Sequence, residues 1–460
     1  MQRLGTGPLP ARGPVLPTFT VETASQLPGP DWLRVRREAA ADSFVSSPLP
    51  TEKDEVWRYS RIDALDLDRF EPVEPGGAIA EDARTPRSEQ VHALVSRLGA
   101  RSGLVVTIDG VLATVSTGGT EGILTLGRIT EHSEGDRLLG STLTDPTDFP
   151  LLNDAFVVDP VVVDVVEGAR LEDPIVLVHL VTGRADLAVF PRAVVRIGRG
   201  STAAVVELVV ESGVGLLPDS RSTLLPGPEA SREHLVVPVT ELEVGEGARL
   251  AYVSVQALGS GAWQLAHQAS TVAAEGELTS FAVALGGSYA RLRTDSALTG
   301  AGGTSLLRAA YVGHDDQMLD FRTLQDHLAP RTTSDLLFTG AVADRAHSVY
   351  SGMIRVRRGA VKADAMQTNH NLVLDEGAHA DSVPNLDIEE NDVRCSHGST
   401  VGPVDEDQRY YLESRGVEPE RAEQLIVAGF FRSIAEKVPI DSLRPLVSEQ
   451  LAGRVGVGDG

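Results

Sequence analysis

From Phe156 onward the chain repeats one pattern: an apolar-alternating segment, a turn of glycine and small residues, then another alternating segment. Turns of this kind occur at 165–169, 197–201, 244–248, 285–288, 354–360 and 372–378. Gly359 and Gly377 lie 18 residues apart. Gly168 and Gly200 lie 32 residues apart. The two spacings are roughly one and two times the length of a short solenoid coil.

Stacked coils of parallel strands bury continuous apolar ladders and keep their turn residues at fixed offsets. The repeats lack the strict hexapeptide period of a left-handed β-helix. The pattern therefore predicts a mainly β protein whose core is a right-handed parallel β-helix, with a two-sheet sandwich as the alternative fold. Such a stack exposes strand edges at its ends, and these must be capped or paired with another chain.

The segments on either side of the repeats have helical patterns. Asp31–Phe44 can form an amphipathic helix, and Glu420–Val438 places its apolar residues along one side. Between the first helix and the repeats, Asp109 and Gly110 indicate the turn of a hairpin. The predicted organisation is a disordered Gly/Pro-rich tail at 1–30, an N-terminal helical or α+β domain at 31–155, the β-helix at 156–401, and a C-terminal helical domain at 402–460.

Charge and cysteine content exclude several classes of protein. The net charge of −24 argues against a nucleic-acid surface, which needs clustered Lys and Arg to neutralise phosphates. The chain has one cysteine, so it has no intramolecular disulfide, and this fits a reducing compartment. It also has no apolar run of 18 or more residues and no signal-peptide core. A cytoplasmic protein without a membrane segment is therefore expected.

Several catalytic motifs are absent from the sequence. There is no Gly-x-x-x-x-Gly-Lys-Ser/Thr loop, so the chain should not hydrolyse a nucleotide itself. The zinc-protease helix, the nucleophile elbow and the Cys-x-x-Cys pair are missing as well. A non-enzymatic protein is the prediction, and any ATP hydrolysis would come from a partner.

Cys395 and His397 form the sharpest candidate site. Residues two apart on a strand point to the same face, so a thiolate and an imidazole could converge on one metal, and both suit iron. The alternative is that Cys395 is a small buried hydrophobe and His397 an ordinary turn residue. Two ligands cannot close a metal site, so a functional interpretation needs further ligands from elsewhere, either in this chain or in another one.

Other polar groups give weaker signals. His314 precedes Asp315 and Asp316, and paired carboxylates on a β-helix could cleave glycosidic bonds. A β-helix polysaccharide hydrolase or lyase is therefore an alternative function, and a purely structural solenoid is another. His370 and His379 each lie beside a predicted strand, where ordinary surface placement is expected.

Ordered motifs along the chain resemble the SufB/SufD family of iron–sulfur cluster assembly scaffolds. The matching runs are Asp54–Tyr59, Leu152–Asn153, Thr323–His327, Ser348–Ile354, Val383–Ile388, Cys395–Gly398, Asp405–Asp407 and Ser414–Gly416. The resemblance extends from about residue 50 to the C-terminus and is densest over the last 120 residues.

The resemblance implies a right-handed parallel β-helix flanked by helical domains. It also implies a complex with a SufB-like scaffold, paired through β-helix edges, and with a SufC-like ATPase bound at about residues 404–438. Iron or a nascent iron–sulfur cluster would be held transiently and shared with the partner. The resemblance leaves flavin binding open, and it leaves open whether the free chain is a monomer or a homodimer.

Departures from the SufB pattern place the chain nearer to the SufD type. SufB-type sequences carry a sulfur-accepting cysteine five residues before the segment that starts at Val383, where this chain has Ala378. They also carry a glutamate at the position of Gly398. The resemblance matches His397 to a SufD histidine at the heterodimer interface. It therefore implies that His397 is an iron ligand, with Cys395 beside it as a secondary candidate.

Overall fold

The computed structural model describes residues 18–73, 90–143, 146–214 and 232–454. Its core is a solenoid in which the chain alternates between two stacked parallel sheets, so the predicted parallel β-helix is confirmed. The turns between strands are glycine-rich, as the repeat pattern indicates. Gly168 adopts a φ of +74°, a conformation that L side chains avoid.

Close stacking of the turns is the second reason for their glycines. A Cβ on Gly300 would lie 1.9 Å from the backbone nitrogen of Ala274 in the coil before it. Neighbouring turns therefore touch backbone to backbone, and a side chain at this position would force the coils apart.

One sheet, called the front sheet below, has 12 strands among the described residues. They are β1 (Glu71–Pro72), β4 (Leu124–Arg128), β5 (Val161–Val165), β7 (Leu187–Val189), β8 (Arg192–Ile197), β10 (His234–Val236), β11 (Val239–Val244), β13 (Ala262–Val272), β15 (Tyr289–Leu298), β17 (Met318–His327), β19 (His347–Val356) and β21 (His379–Ile388).

The other sheet, the back sheet, has 10 strands in the described part of the chain. They are β2 (Gly103–Ile108), β3 (Val111–Thr117), β6 (Ile175–Val181), β9 (Thr202–Glu211), β12 (Arg249–Ala257), β14 (Glu277–Ala284), β16 (Thr304–Gly313), β18 (Thr333–Val342), β20 (Asp364–Val373) and β22 (Arg394–Gly402).

The two ends of the stack differ. At the first end β3 pairs antiparallel with β2, and β4 pairs antiparallel with β5. The turn between β2 and β3 is at Asp109 and Gly110, so the predicted hairpin is confirmed. At the last end the final strands are β21 and β22, both parallel to their inner neighbours and neither followed by another strand.

Helices cover the outer faces of both sheets. The helices are α1 (Val21–Ser25), α2 (Asp31–Ser46), α3 (described over 90–97), α4 (Gly135–Leu138), α5 (Phe149–Phe156), α6 (Glu406–Glu413), α7 (Pro419–Ala435) and α8 (Arg444–Arg454). Short 3-10 turns lie at Glu55–Trp57, Ile62–Ala64, Leu67–Arg69, Ile129–Glu131 and Asp441–Leu443. None of the described helices is long and apolar enough to cross a membrane.

Each outer cover is fixed by apolar packing. Phe44 and Trp57 of the N-terminal region pack with Tyr289 and Met318 on the front sheet. On the back sheet, Phe431 of α7 belongs to a cluster that includes strand residues of β16 and β18. The solenoid therefore has helical layers on both outer faces, while its last coil remains open.

Residues 18–30 are folded, which corrects the prediction that the disordered tail extends to residue 30. Thr20 and Thr23 form a capping box at the start of α1, and Phe19 is fully buried. The Phe19 ring packs edge to face on Phe156 at 5.2 Å. Two apolar anchors, Phe19 and Leu27, offset the glycine and proline content that suggested disorder. Residues 1–17 of the predicted tail lie outside the described residues.

Candidate functional site

Cys395 and His397 lie on β22, the last strand of the back sheet. β22 pairs with β20 so that Cys395 is level with Ala365 and His397 with Gln367. Both of those β20 residues are 1% exposed and face the space between the two sheets. Cys395 and His397 therefore continue the interior columns of the solenoid, and are accessible because no further coil covers them.

The interior beside His397 is polar and hydrogen-bonded. Tyr350 of the front sheet donates to Oε1 of Gln367 at 3.2 Å. Asn371 donates to Oδ1 of Asn369 at 2.7 Å, and Tyr311 donates to Oδ1 of Asn371 at 2.6 Å. Because the side chains of Gln367, Asn369 and Asn371 all have hydrogen-bond partners, this ladder helps to hold the β20 backbone against which β22 is registered.

The two candidate ligands differ in their surroundings. Cys395 is half-buried and packs against a cluster that contains Ile354 and Val356 of the front sheet. Burial, followed by the charge of Asp364, raises the pKa of the Cys395 thiol. The free chain therefore keeps Cys395 protonated, and a nearby cation is needed to make it a metal ligand. His397 is exposed to solvent.

The open end also exposes apolar interior positions. Ile388 of β21 and Val401 of β22 are 42% and 44% exposed, although both are level with buried or interior positions of the preceding coil. Among the described residues, no strand pairs with the outer edges of β21 and β22. Apolar side chains next to free strand edges favour the addition of another chain.

Within the described residues, one group of three or more potential metal ligands has its ligand atoms within 4.8 Å of one another, and Cys395 and His397 are not in it. That group is His347, His379 and Asp381. The position of His379 beside a predicted strand indicates only an ordinary surface residue. The signal that could have found the group is the spacing of 32 residues between the two histidines, which equals that of Gly168 and Gly200.

The groups that suggested glycosidic cleavage are engaged elsewhere. Asp316 forms an ion pair with Arg345, at 2.6 Å between Oδ2 and the guanidinium. His314 is half-buried, and burial followed by the charge of Arg454 lowers its pKa. The backbone N–H of Asp315 donates to a carboxylate oxygen of Asp344 at 2.9 Å.

The C-terminal helices present a second accessible surface. Helix α6 has no buried residue, and its Tyr410 and Tyr411 are 72% and 56% exposed. The side chain of Asp405 caps its first turn by accepting from the backbone of Asp407 and Gln408. A helix that packs so little on its own chain is well placed to contact another protein.

The chain matches a family model described as SUF system FeS cluster assembly, SufBD core domain, over residues 179–430. It is 27% identical over 418 residues to the iron-sulfur cluster assembly protein SufD of Escherichia coli, a match that covers 90% of each chain. It is 35% identical over 212 residues to an iron-sulfur cluster assembly SufBD family protein of Mycobacterium tuberculosis, covering 44% of this chain and 53% of the relative. A match to SufD of Bacillus subtilis has 31% identity over 209 residues, which is 45% of this chain and 47% of the relative.

Proposed function

The chain belongs to the SufB/SufD family and is an iron–sulfur cluster assembly subunit of the SufD type, and from this we propose that it pairs with a SufB-like scaffold through the open end of its solenoid. The observation that carries the proposal is the exposure of interior positions at β21 and β22. These two strands have free edges, and the side chains between them belong to the inside of a coil.

Coil stacking gives the pairing its physical basis. A partner that adds strands beyond β21 and β22 would satisfy their backbone groups and cover Ile388 and Val401. The same contact would enclose Cys395 and His397 at the junction of the two chains. Removing the apolar side chains of Ile388 and Val401 from water supplies favourable free energy of association, and pairing of the strand edges fixes the register of the two chains.

Iron or a nascent cluster is the cargo proposed for this junction. His397 would offer an imidazole nitrogen and Cys395 a thiolate, ligands that suit iron and iron–sulfur clusters. Two ligands from this chain leave coordination positions for the partner. The site would therefore exist only in the complex, and the chain would support assembly without being an enzyme itself.

Helices α6 and α7 are the proposed contact for a SufC-like ATPase, at about residues 404–438. The support is the exposed tyrosine pair of α6 and the apolar Leu425 of α7, which is 40% exposed. ATP hydrolysis by that partner would move the helical domain and open the junction. A cytoplasmic location is part of this proposal.

Replacing His397 with alanine should lower the yield of assembled cluster by at least about tenfold, because a metal site that loses a ligand is weakened by at least that factor. The yield is measured by iron and acid-labile sulfide after reconstitution with both partners. His370→Ala, on the neighbouring strand β20, is the matched control and should keep full yield. Full yield with His397→Ala would show that His397 is not a ligand.

A charge introduced at the open end should prevent pairing. Val401→Glu should weaken binding to the SufB-like partner by at least about tenfold, because the carboxylate would be buried without a counter-charge. The free variant should fold normally, since the side chain is accessible in the free chain. Thr400→Glu places the same charge one residue away on the opposite face of β22 and is the control. Equal affinity for both variants would place the interface elsewhere.

A further inference from the structure

We propose that His347, His379 and Asp381 form a site for a divalent first-row transition-metal ion, separate from the junction at His397. Nε2 of His347 lies 2.8 Å from one carboxylate oxygen of Asp381, and Nε2 of His379 lies 3.3 Å from the other. The two imidazole rings are 5.1 Å apart between centroids. All three ligand atoms lie within 4.8 Å of one another.

Strand register brings the three residues together. His347 begins β19 and His379 begins β21, and the two are directly paired in the front sheet. Asp381 follows His379 by two residues, so its side chain points to the same face. The backbone N–H of His347 donates to Gln317 at 2.9 Å, and that of His379 donates to Ala346 at 3.0 Å. The ligands therefore stand on a hydrogen-bonded ladder rather than on a mobile loop.

The face they share is the outer one. The column that contains His347 and His379 continues through Met318 and Tyr289 on the inner neighbours. Met318 and Tyr289 pack under the N-terminal helical region, outside the solenoid. The histidines lie beyond that cover, so they are open to solvent and not part of the interior ladder.

The distances fit metal coordination. An ion about 2.1 Å from each ligand atom would hold neighbouring ligands about 3.0 Å apart in octahedral geometry and about 3.4 Å apart in tetrahedral geometry. The two distances to Asp381, 2.8 and 3.3 Å, lie close to this range. Small side-chain movements are thus enough to replace the imidazole–carboxylate contacts by bonds to an ion.

The donor set selects the class of ion. Two imidazoles and one carboxylate suit Fe²⁺ and Zn²⁺, whereas Mg²⁺ and Ca²⁺ prefer oxygen ligands alone. The side chain of His379 is 66% exposed, while those of His347 and Asp381 are about a quarter exposed. Three ligands on an accessible surface leave further coordination positions open, as in sites that exchange their ion or bind a further ligand.

The site is distinct from the junction at the end of the solenoid. His379 is the first residue of β21, and the turn that leads to Cys395 follows the last residue of that ten-residue strand. The three ligands face outward from the front sheet, whereas Cys395 and His397 lie on β22 of the back sheet and continue the interior columns of the solenoid. The cluster is complete within one chain, so this proposal does not depend on the proposed function or on any partner.

The test is metal binding by the metal-free full chain. Fe²⁺ under anaerobic conditions and Zn²⁺ are titrated separately by calorimetry, and bound metal is counted after gel filtration. We expect one equivalent per chain, absent from the double variant His347→Ala/His379→Ala. Asp381→Asn, which keeps the shape of the side chain, should lower the affinity by at least about tenfold. The relative affinities of the two ions identify which one the site prefers.

Two controls keep the result independent of the cluster assembly assay. The variant His397→Ala should still bind one equivalent of metal per chain. So should His92→Ala, which removes an exposed histidine of α3. Visible absorption of bound Co²⁺ should change on Asp381→Asn and not in either control. No binding by the intact chain, or unchanged binding by the double variant, would overturn the proposal. So would a loss of the equivalent with His397→Ala.

Discussion

Replacing Asp320 with alanine should lower the free energy of unfolding by about 3–5 kcal/mol, the range for removal of one partner from a buried ion pair. Asp320 is fully buried on β17 and accepts from Arg291 and Arg322, each at 2.6 Å. The hydroxyl of Tyr289 donates to it at 2.7 Å. The alanine variant would leave two buried guanidinium groups without a counter-charge.

The same carboxylate organises the docking of the N-terminal region. Arg291 also donates to the backbone oxygen of Val56 at 2.8 Å, and its guanidinium lies 3.8 Å from the ring centroid of Trp57. Arg322 donates to the backbone oxygen of Arg58 at 2.6 Å. Loss of Asp320 should therefore loosen the segment around Trp57 as well as the sheet. The fluorescence of Trp57 should change at a lower urea concentration in the variant than in the unchanged chain.

The electrostatic balance at Asp320 supports this expectation. Burial alone would raise the pKa of the carboxyl, but the charges of Arg291 and Arg322 outweigh burial and hold it below the ordinary value. Asp316→Ala is the matched control, because Asp316 pairs with Arg345 on the surface near the start of the same strand. Urea unfolding of both variants is the measurement, with little change expected for Asp316→Ala. Equal losses would show that burial of the pair is unimportant.

Acidification should destabilise the chain through His327, by about 2 kcal/mol at pH 5 relative to neutral pH. His327 is fully buried, with Nδ1 2.7 Å from the Thr332 hydroxyl and Nε2 2.8 Å from the Ser334 hydroxyl. Burial lowers the pKa of His327 to about 4. The folded chain thus keeps this imidazole neutral where the unfolded chain already binds a proton.

The direction of the effect follows from proton binding. The unfolded imidazole titrates near its ordinary pKa of about 6.5 and the folded one near 4, so stability falls as the pH is lowered between the two values. Carboxylates with lowered pKa add to the loss at acid pH, so the comparison must be with a variant. His327→Gln, which can keep a hydrogen bond, should lose about 2 kcal/mol less between pH 7.5 and pH 5 in urea unfolding. Parallel pH profiles would contradict the assignment.

The solenoid could be predicted from the sequence because its signal is repeated. Glycines such as Gly168 and Gly359 recur where the chain must adopt a positive φ, and apolar alternation between them predicts strands. The folded state of residues 18–30 was harder to predict from the sequence. Phe19 and Leu27 pack in a cluster with residues that are distant along the chain, such as Phe156 and Phe190. The predicted domain limits at residues 155 and 401 stay a prediction.

The candidate site was predictable in part. Spacing alone places Cys395 and His397 on one face of a strand, but register with Ala365 and Gln367 is needed to identify that face as the interior. Their role as ligands stays a prediction. Predicting the group of His347, His379 and Asp381 needs three pieces of information: the length of one coil, the pairing of β19 with β21, and the sheet face on which the paired residues lie. Only the first of these can be read from residue numbers.

The unlike ends of the solenoid restrict which contacts can form by coil stacking. Antiparallel strands β3 and β4 turn the first end back on itself, whereas β21 and β22 leave the other end extendable. A stack that could grow at both ends would polymerise into fibres, as open head-to-tail contacts do. Because β3 and β4 break the parallel register at the first end, the parallel stack can continue in register only beyond β21 and β22, and a contact there joins this chain to one partner.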